Sequence, residues 1–351
     1  MTQGGGARDR LDGLWARGRA FLGVELAIMG GAMTWVSERN LVSAISNAGG
    51  FGVIACGSMD PGRLRDEIRA TRALTGRPFG VNLIVMHPQL AELARTCVDE
   101  RVGHVVLAGG LPPAECLQLL RAGGVRAIGF APALAIARKL RRSGIDALVL
   151  EGSEAGGHIG AVSTGVLAQE ILPHVDDLPV FVAGGIGRGE AMVAYLEMGA
   201  AGVQLGTRFV CANESIAHPR MKQTYIRAAA RDAVPSAQLD PRFPVIPVRA
   251  LANAGTKRFI EVQRDVIARF DRGELSRDEA QLAIEHFWAG ALRRAVIDGD
   301  VENGSLMAGQ SVGLVTREQP VREIIDELVS QALANLRVAG APSANRRSTG
   351  E

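Results

Sequence analysis

The sequence predicts an α/β chain folded as a closed (β/α)₈ barrel, and three observations predict it. Eight short apolar runs recur along the chain, each followed by a stretch with helical periodicity. The runs are continuous rather than alternating, as strands buried on both faces should be. Glycine is concentrated in the segments after the runs, the end of such a barrel where function sits.

The runs are Leu26–Met29, Phe51–Cys56, Phe79–Ile84, His104–Ala108, Arg126–Phe130, Ala147–Leu150, Val180–Ala183 and Gly202–Leu205. Between them, Pro61–Thr75 carries Leu64, Ile68 and Leu74 at helical spacing and stops at Gly76. Pro132–Ser143 carries Leu134, Ala137 and Leu140 and stops at Gly144, a residue suited to a left-handed helix cap. An open doubly wound sheet would also alternate strands and helices, but no glycine fingerprint follows the first run, and eight units close a barrel.

Four segments are expected: a flexible N-terminal stretch over 1–20, a barrel over 21–231 and 287–339, a small helical insertion over 232–286, and a disordered tail over 340–351. The insertion is marked by the cluster Pro235, Pro241, Pro244 and Pro247, followed by a charged helical stretch from Lys257 to Arg272. Ser276 with Glu279 three residues later forms a capping-box pattern at the start of a second helix. This insertion is expected to lie over the barrel mouth. The tail APSANRRSTGE is polar and lacks periodicity.

Bulk properties exclude several classes. The 351 residues are 47% apolar and 22% charged with net charge +2, the composition of an ordinary globular enzyme. No Lys/Arg run builds a basic face, which argues against a nucleic-acid partner. No apolar stretch reaches the length of a membrane span, and no leader pattern is visible, so a cytoplasmic protein is expected. Cys56, Cys97, Cys116 and Cys211 are scattered, with no CxxC pair, and read as reduced core thiols.

The loops after the runs carry the chemistry. Gly184-Gly185 after the seventh run and Gly206-Thr207 after the eighth stand where barrels bind phosphate. Glycine lets main-chain N–H groups approach an anion, helix N-termini add a favourable field, and the Thr207 hydroxyl adds a donor. Either pair alone would read as a tight turn. His158, at the end of the Gly-rich loop EGSEAGGHIG, is the candidate for proton transfer near neutral pH. His87, His104, His174, His218 and His286 read as structural. No His, Cys or carboxylate pair stands at ligand spacing with His158, so no metal site is expected. Asn82 suits the edge of a heterocycle or a loop cap. Glu151 suits a sugar-chain hydroxyl or the loop N–H groups.

These motifs resemble the nitronate monooxygenase (formerly 2-nitropropane dioxygenase) family, which also contains FMN-dependent enoyl-acyl-carrier-protein reductases. The resemblance spans roughly Leu26 to Leu336. It rests on EGSEAGGHIG, VFVAGGIGRGEAMVAYLEMGAAGVQLGTRF and GALRRAVIDGDVENGSLMAGQSVGLV, with support from NAGGFG and RPFGVNL. It implies non-covalent FMN in a TIM barrel and His158 as the active-site acid or base. Gly31, Ala32 and Met33 would line the flavin ring, and Asn82 would meet its polar edge. Glu151, Gln204 and Met307 would line the site further, with Gly184, Gly185, Gly206 and Thr207 on the phosphate. Two departures stand out: Gly30-Gly31-Ala32-Met33 replaces the family's Gln-Gly-Gly-Met, and Phe130 stands where some reductases carry lysine.

The reaction expected first is oxidation of nitronates or nitroalkanes with oxygen. The alternative is an enoyl-acyl-carrier-protein reductase with NAD(P)H as co-substrate, and a third reading is a catalytically idle flavin-binding protein. The expected partners are a small-molecule substrate and, in a homodimer, a second copy of the chain.

Overall fold

A computed structural model describes residues 4–243, 247–287 and 290–340. Eight parallel strands form the barrel: β1 (Ile28–Gly30), β2 (Gly52–Ala55), β3 (Phe79–Ile84), β4 (His104–Ala108), β5 (Arg126–Phe130), β6 (Ala147–Glu151), β8 (Val180–Ala183) and β9 (Gly202–Leu205). They run β1-β9-β8-β6-β5-β4-β3-β2 around the sheet. Phe51 closes the ring, its N–H donating to the Ile28 carbonyl and its carbonyl accepting from Gly30 N–H, both at 2.9 Å. Each expected run contains or coincides with a strand, within two residues at its ends.

Both faces of each strand are buried, in two separate cores. Met29, Phe51, Val53, Val106, Ile128, Ala147, Val149, Phe181 and Ala183 fill the barrel interior. Ile54, Val105, Leu107, Ala127, Leu148, Leu150, Val180, Val182 and Val203 point outward onto the helices. The period-2 alternation of side chains is therefore present, but it sorts one apolar residue from another. That is why the sequence shows unbroken runs.

Helices follow the strands and end as the sequence indicates. Asp60 caps the helix Pro61–Leu74, and Gly144 ends Leu134–Ser143 in the left-handed region at φ 81°. Ser276 caps Arg277–His286 with the expected capping box to Glu279. The four cysteines are free and buried.

Three expectations need comment. The N-terminal stretch expected to be flexible is helical from Gly4, as Gly4–Leu14 and Ala16–Leu22, with Leu11 and Trp15 fully buried. Its apolar residues pack onto the main core, which the short amphipathic pattern under-advertised. Leu22 belongs to the barrel-interior core, and Phe21 packs against it. The inserted stretch is also more than helical. It contributes β10 (Ala233–Pro235) and β11 (Val248–Leu251), which form a three-stranded antiparallel sheet with β7 (Gly157–His158). Its helices Ala254–Asp271 and Arg277–His286 carry a separate small core around Phe243, Phe259, Val266, Ala280 and Ile284. The tail beyond Gly340 lies outside the described residues. No described helix is long and apolar enough to cross a membrane.

His104 opens β4 at the N-terminal end of the barrel. One ring nitrogen lies 2.9 Å from the Phe21 carbonyl, and Nδ1 is buried without a partner. Burial holds its pKa down at about 4. The folded state therefore resists protonation that the unfolded chain accepts at ordinary imidazole pH. Stability should be intact above pH ~6.5 and fall as pH drops toward ~4, by an upper bound of about 3 kcal/mol. The variant His104→Gln should show a shallower decline of melting temperature across that window. Parallel curves for the two proteins would contradict the assignment.

Candidate active site

Strand parity places the site. In β6, Ala147 and Val149 face the barrel interior, so Glu151 does too. In β3, Val81 and Leu83 belong to the outer core, which leaves Asn82 facing inward. Val203 and Leu205 face outward in β9, which turns Gln204 inward. Phe130 faces inward by its spacing from Ile128. Asn82, Phe130, Glu151 and Gln204 thus all point into the C-terminal half of the barrel interior, in register with Val106, Val149, Ala183 and Met29 on the neighbouring strands. Asn82 and Gln204 are buried, and Asn82 Nδ2 donates to the Val106 carbonyl at 3.1 Å, leaving its oxygen as the free end of the amide.

Among the described residues no basic side chain acts on Glu151, and burial pushes its carboxyl up to about 8. A carboxylic acid that stays protonated near neutral pH can donate a hydrogen bond.

The turn after β1 brings Gly31 against Gln204. Its N–H donates to the Leu205 carbonyl at 2.7 Å, and a methyl group on its Cα would sit 3.7 Å from Gln204 Nε2. Ser37 Oγ fixes the turn, accepting from Met33 N–H and donating to the Gly31 carbonyl. The replacement of the family's Gln by Gly30 has a local reason: an added Cβ would lie 2.7 Å from Ile45 Cδ1.

The two glycine pairs stand side by side at the ends of neighbouring strands β8 and β9. Gly184 and Gly185 have φ of 99° and 72°, the left-handed region in which side chains are strained. The N–H groups of Gly184, Gly185, Gly206 and Thr207 take no part in the main-chain hydrogen bonds of the described loops. Thr207 Oγ1 accepts from Gly309 N–H at 2.9 Å, so its own proton remains available. The helix that follows, Thr207–Val210, is a single turn, and its field is correspondingly small. Main-chain donors rather than a helix dipole make this cradle suitable for a phosphate. A cavity of about 390 Å³ opens beside it, lined by Glu154, Gly184, Gly185, Tyr195, Gln310 and Ser311 among others.

His158 lies in the loop after β6, within β7, where it pairs with Val248 of the insertion. Its side chain is exposed, yet the protein around it lowers its pKa below the usual imidazole value by desolvation. The imidazole is therefore neutral near pH 7. The base of the loop is fixed by Glu154, whose carboxylate accepts from both Thr164 N–H and Oγ1 at 2.8 Å. Gly156 packs so closely on Ala308 and Gly309 that a Cβ would lie 2.5 Å from Gly309 N. Met307 arrives on that same segment, 3.7 Å from the Cβ position of Gly157.

The structure thus places Gly31, Asn82, Glu151, Gly184, Gly185, Gln204, Gly206 and Thr207 at the C-terminal ends of the barrel strands, Ala32 and Met33 in the turn after β1, and His158 and Met307 on segments packed against each other. Sequence reasoning missed Arg249 and Gly309, which hold the His158 loop and Thr207 from the far end of the chain. Glu154 was visible only as part of the glycine-rich motif.

The elevated Glu151 pKa has a testable sign. As pH rises from about 4.5 toward 8, the unfolded carboxyl ionises before the folded one, so stability is lost through that window. Glu151→Gln should remove this loss, and its melting temperature should gain on that of the native protein as pH increases from 5 to 8. A constant difference would refute a buried, protonated Glu151.

Comparison with known proteins adds the family. The model of the nitronate monooxygenase family matches residues 17–105 and 94–331. The chain is 30% identical over 347 residues to (3aS,4S,5R,7aS)-5-hydroxy-7a-methyl-1-oxo-octahydro-1H-indene-4-carboxyl-CoA dehydrogenase of Mycobacterium tuberculosis, covering 91% of this chain and 96% of the relative. Among solved structures, FabK from Thermotoga maritima superimposes with a TM-score of 0.83 at 35% identity, over 92% of this chain and 97% of that one. A nitroalkane oxidase from Streptomyces ansochromogenes gives a TM-score of 0.74 at 27% identity, over 91% and 98%. With its TIM barrel and its matched length, the chain belongs to the nitronate monooxygenase family of oxidoreductases.

Proposed function

We propose that this chain is an FMN-dependent oxidoreductase that oxidises nitroalkanes or their nitronates with oxygen, His158 handling the proton. The observation that carries the reading is the position of His158, on the loop after β6 and paired with β11 of the insertion, where desolvation shifts its imidazole below the usual pKa. A neutral imidazole can accept the proton alpha to a nitro group, which a charged one cannot.

The residues present fit FMN. Gly184, Gly185, Gly206 and Thr207 would hold the phosphate through unspent N–H groups and one hydroxyl. Gly31, Ala32 and Met33 would border the ring, and the Asn82 oxygen would accept from its polar edge. Glu151, Gln204 and Met307 would complete the lining. The bound flavin would supply the electron acceptor that no side chain of this chain provides. His158 would take the alpha proton of a bound nitroalkane and leave a nitronate, with oxygen as co-substrate.

A second reading is favoured by a separate observation, the 35% identity to FabK over nearly the whole of both chains. In it NAD(P)H delivers hydride and an enoyl thioester receives it. Phe130 in place of the lysine of some family reductases weighs against this reading.

The variant His158→Ala should fold and retain flavin while turnover drops by roughly 10²–10⁴-fold, the usual size of an acid–base contribution. Parallel loss of flavin and activity would make His158 structural instead. With a neutral nitroalkane, kcat/KM should fall below the depressed pKa of His158, because protonation removes the base. With preformed nitronate that acidic limb should vanish.

The electron source separates the two readings. Under anaerobic conditions, propionate-3-nitronate alone should bleach the flavin faster than NADH does. Fast bleaching by NADH or NADPH, followed by reoxidation with a crotonyl thioester, would instead establish the reductase.

A further inference from the structure

Arg249 is a buried cation without an ion pair among the described residues. It lies on β11 of the insertion and is 8% exposed. Its Nε donates to the Ser153 carbonyl at 2.8 Å, and its Nη1 makes a short hydrogen bond to the Ala233 carbonyl. Burying an arginine against two neutral carbonyls is costly where an apolar side chain would pack freely. The nearest acid that acts on it, Glu154, spends its carboxylate on Thr164, and burial shifts the guanidinium below its usual pKa.

The geometry shows what this side chain holds together. Ser153 is at the base of the loop that carries His158, directly after β6 and Gly152. Ala233 opens β10. On β11 itself, Arg249 stands opposite Gly157, and Val248 stands opposite His158. The pairing continues with Ile159 N–H donating to the Pro247 carbonyl at 3.0 Å. The main chain of β11 therefore fixes the tip of the loop while the side chain of Arg249 grips its base. The two grips are five residues apart on the loop, and Gly156 and Gly157, the latter at φ 80°, lie between them. A loop with two adjacent glycines does not hold an imidazole in place by itself.

We propose that Arg249 is the positioning residue of the active site, locking the His158 loop to the inserted sheet so that the imidazole is held over the barrel mouth. This rests on the reading that His158 does the proton chemistry. The insertion is then part of the catalytic apparatus through its strand, beyond any role as a cover. Lysine cannot reproduce the arrangement, since one ammonium lacks the planar fork that reaches two carbonyls in different segments.

The test combines kinetics with a readout that does not depend on activity. Arg249→Met should retain FMN and lose about 10–100-fold in kcat with KM little changed, as expected of a displaced catalytic group. Arg249→Lys should recover part of the loss. Hydrogen exchange at the Ile159 amide, followed in the flavin-loaded protein, should accelerate at least tenfold in Arg249→Met while amides in β4 and β6 keep their native rates. The double variant Arg249→Met/His158→Ala should be no slower than His158→Ala alone, because a residue acting through His158 has nothing left to act on.

Multiplying losses in the double variant would overturn the proposal and place Arg249 on the substrate. So would native kcat, or an unchanged Ile159 exchange rate, in Arg249→Met. Should Arg249→Met fail to fold, Arg249→Lys carries the same measurements, and native exchange together with native kcat there would also overturn it. If His158→Ala is itself fully active, the proton-transfer reading fails, while exchange at Ile159 still decides whether Arg249 anchors the loop.

Discussion

Closing eight short strands into a ring obliges every second side chain to share one interior, and the rest of this molecule follows from that constraint. The interior is filled largely by Met29, Phe51, Val53, Val106, Ile128, Val149 and Phe181. One step further along the same parity, the inward positions become Asn82, Glu151 and Gln204. The strands thus change character within a single residue pair, from packing to recognition. Burial in this interior raises the pKa of the Glu151 carboxyl.

The barrel supplies the glycine-bearing strand ends, whereas His158 comes from a loop outside it. His158 stands on a loop whose order depends on three other parts of the chain: the Glu154 contact to Thr164, the close approach of Gly156 to Ala308 and Gly309, and the pairing with β11. Gly309 also donates to Thr207, so one short segment touches both the turn after β9 and the histidine loop. The glycine-bearing ends of β8 and β9 and the His158 loop are therefore tied together through residues 306–309, although they come from different strands.

Most of the barrel could be read from the sequence because a strand buried on both faces leaves an unmistakable apolar run and its helix ends in glycine. The loop order singled out His158, Gly184-Gly185 and Gly206-Thr207 as candidates, since function in such a fold gathers after the strands. Other features were hidden for physical reasons. Strand β7 is two residues long and contains glycine, so no propensity marks it. Its partner β11 begins beyond a proline cluster and ninety residues away, and a pairing of that kind leaves no local periodicity. Arg249 looked like one of many arginines because burial, not identity, distinguishes it. The N-terminal helices were underestimated because their contribution comes from a few buried residues, Leu11, Trp15 and Leu22, in an otherwise polar stretch.

The reach of the histidine loop toward β11 and the 306–309 segment bears on the order in which the molecule can assemble. The last barrel strand ends at Leu205, and a nascent chain could close the ring well before synthesis is complete. The loop bearing His158 would then wait with its glycines unsupported until β11 emerged, and its packing against Gly309 would come later still. Long-range contacts of this kind close slowly, since the intervening chain must be brought to one place first. The ends of β8 and β9 would thus stand side by side before the loop bearing His158 is anchored. Ordered assembly of that sort leaves that loop unsupported until β11 and the 306–309 segment have been made.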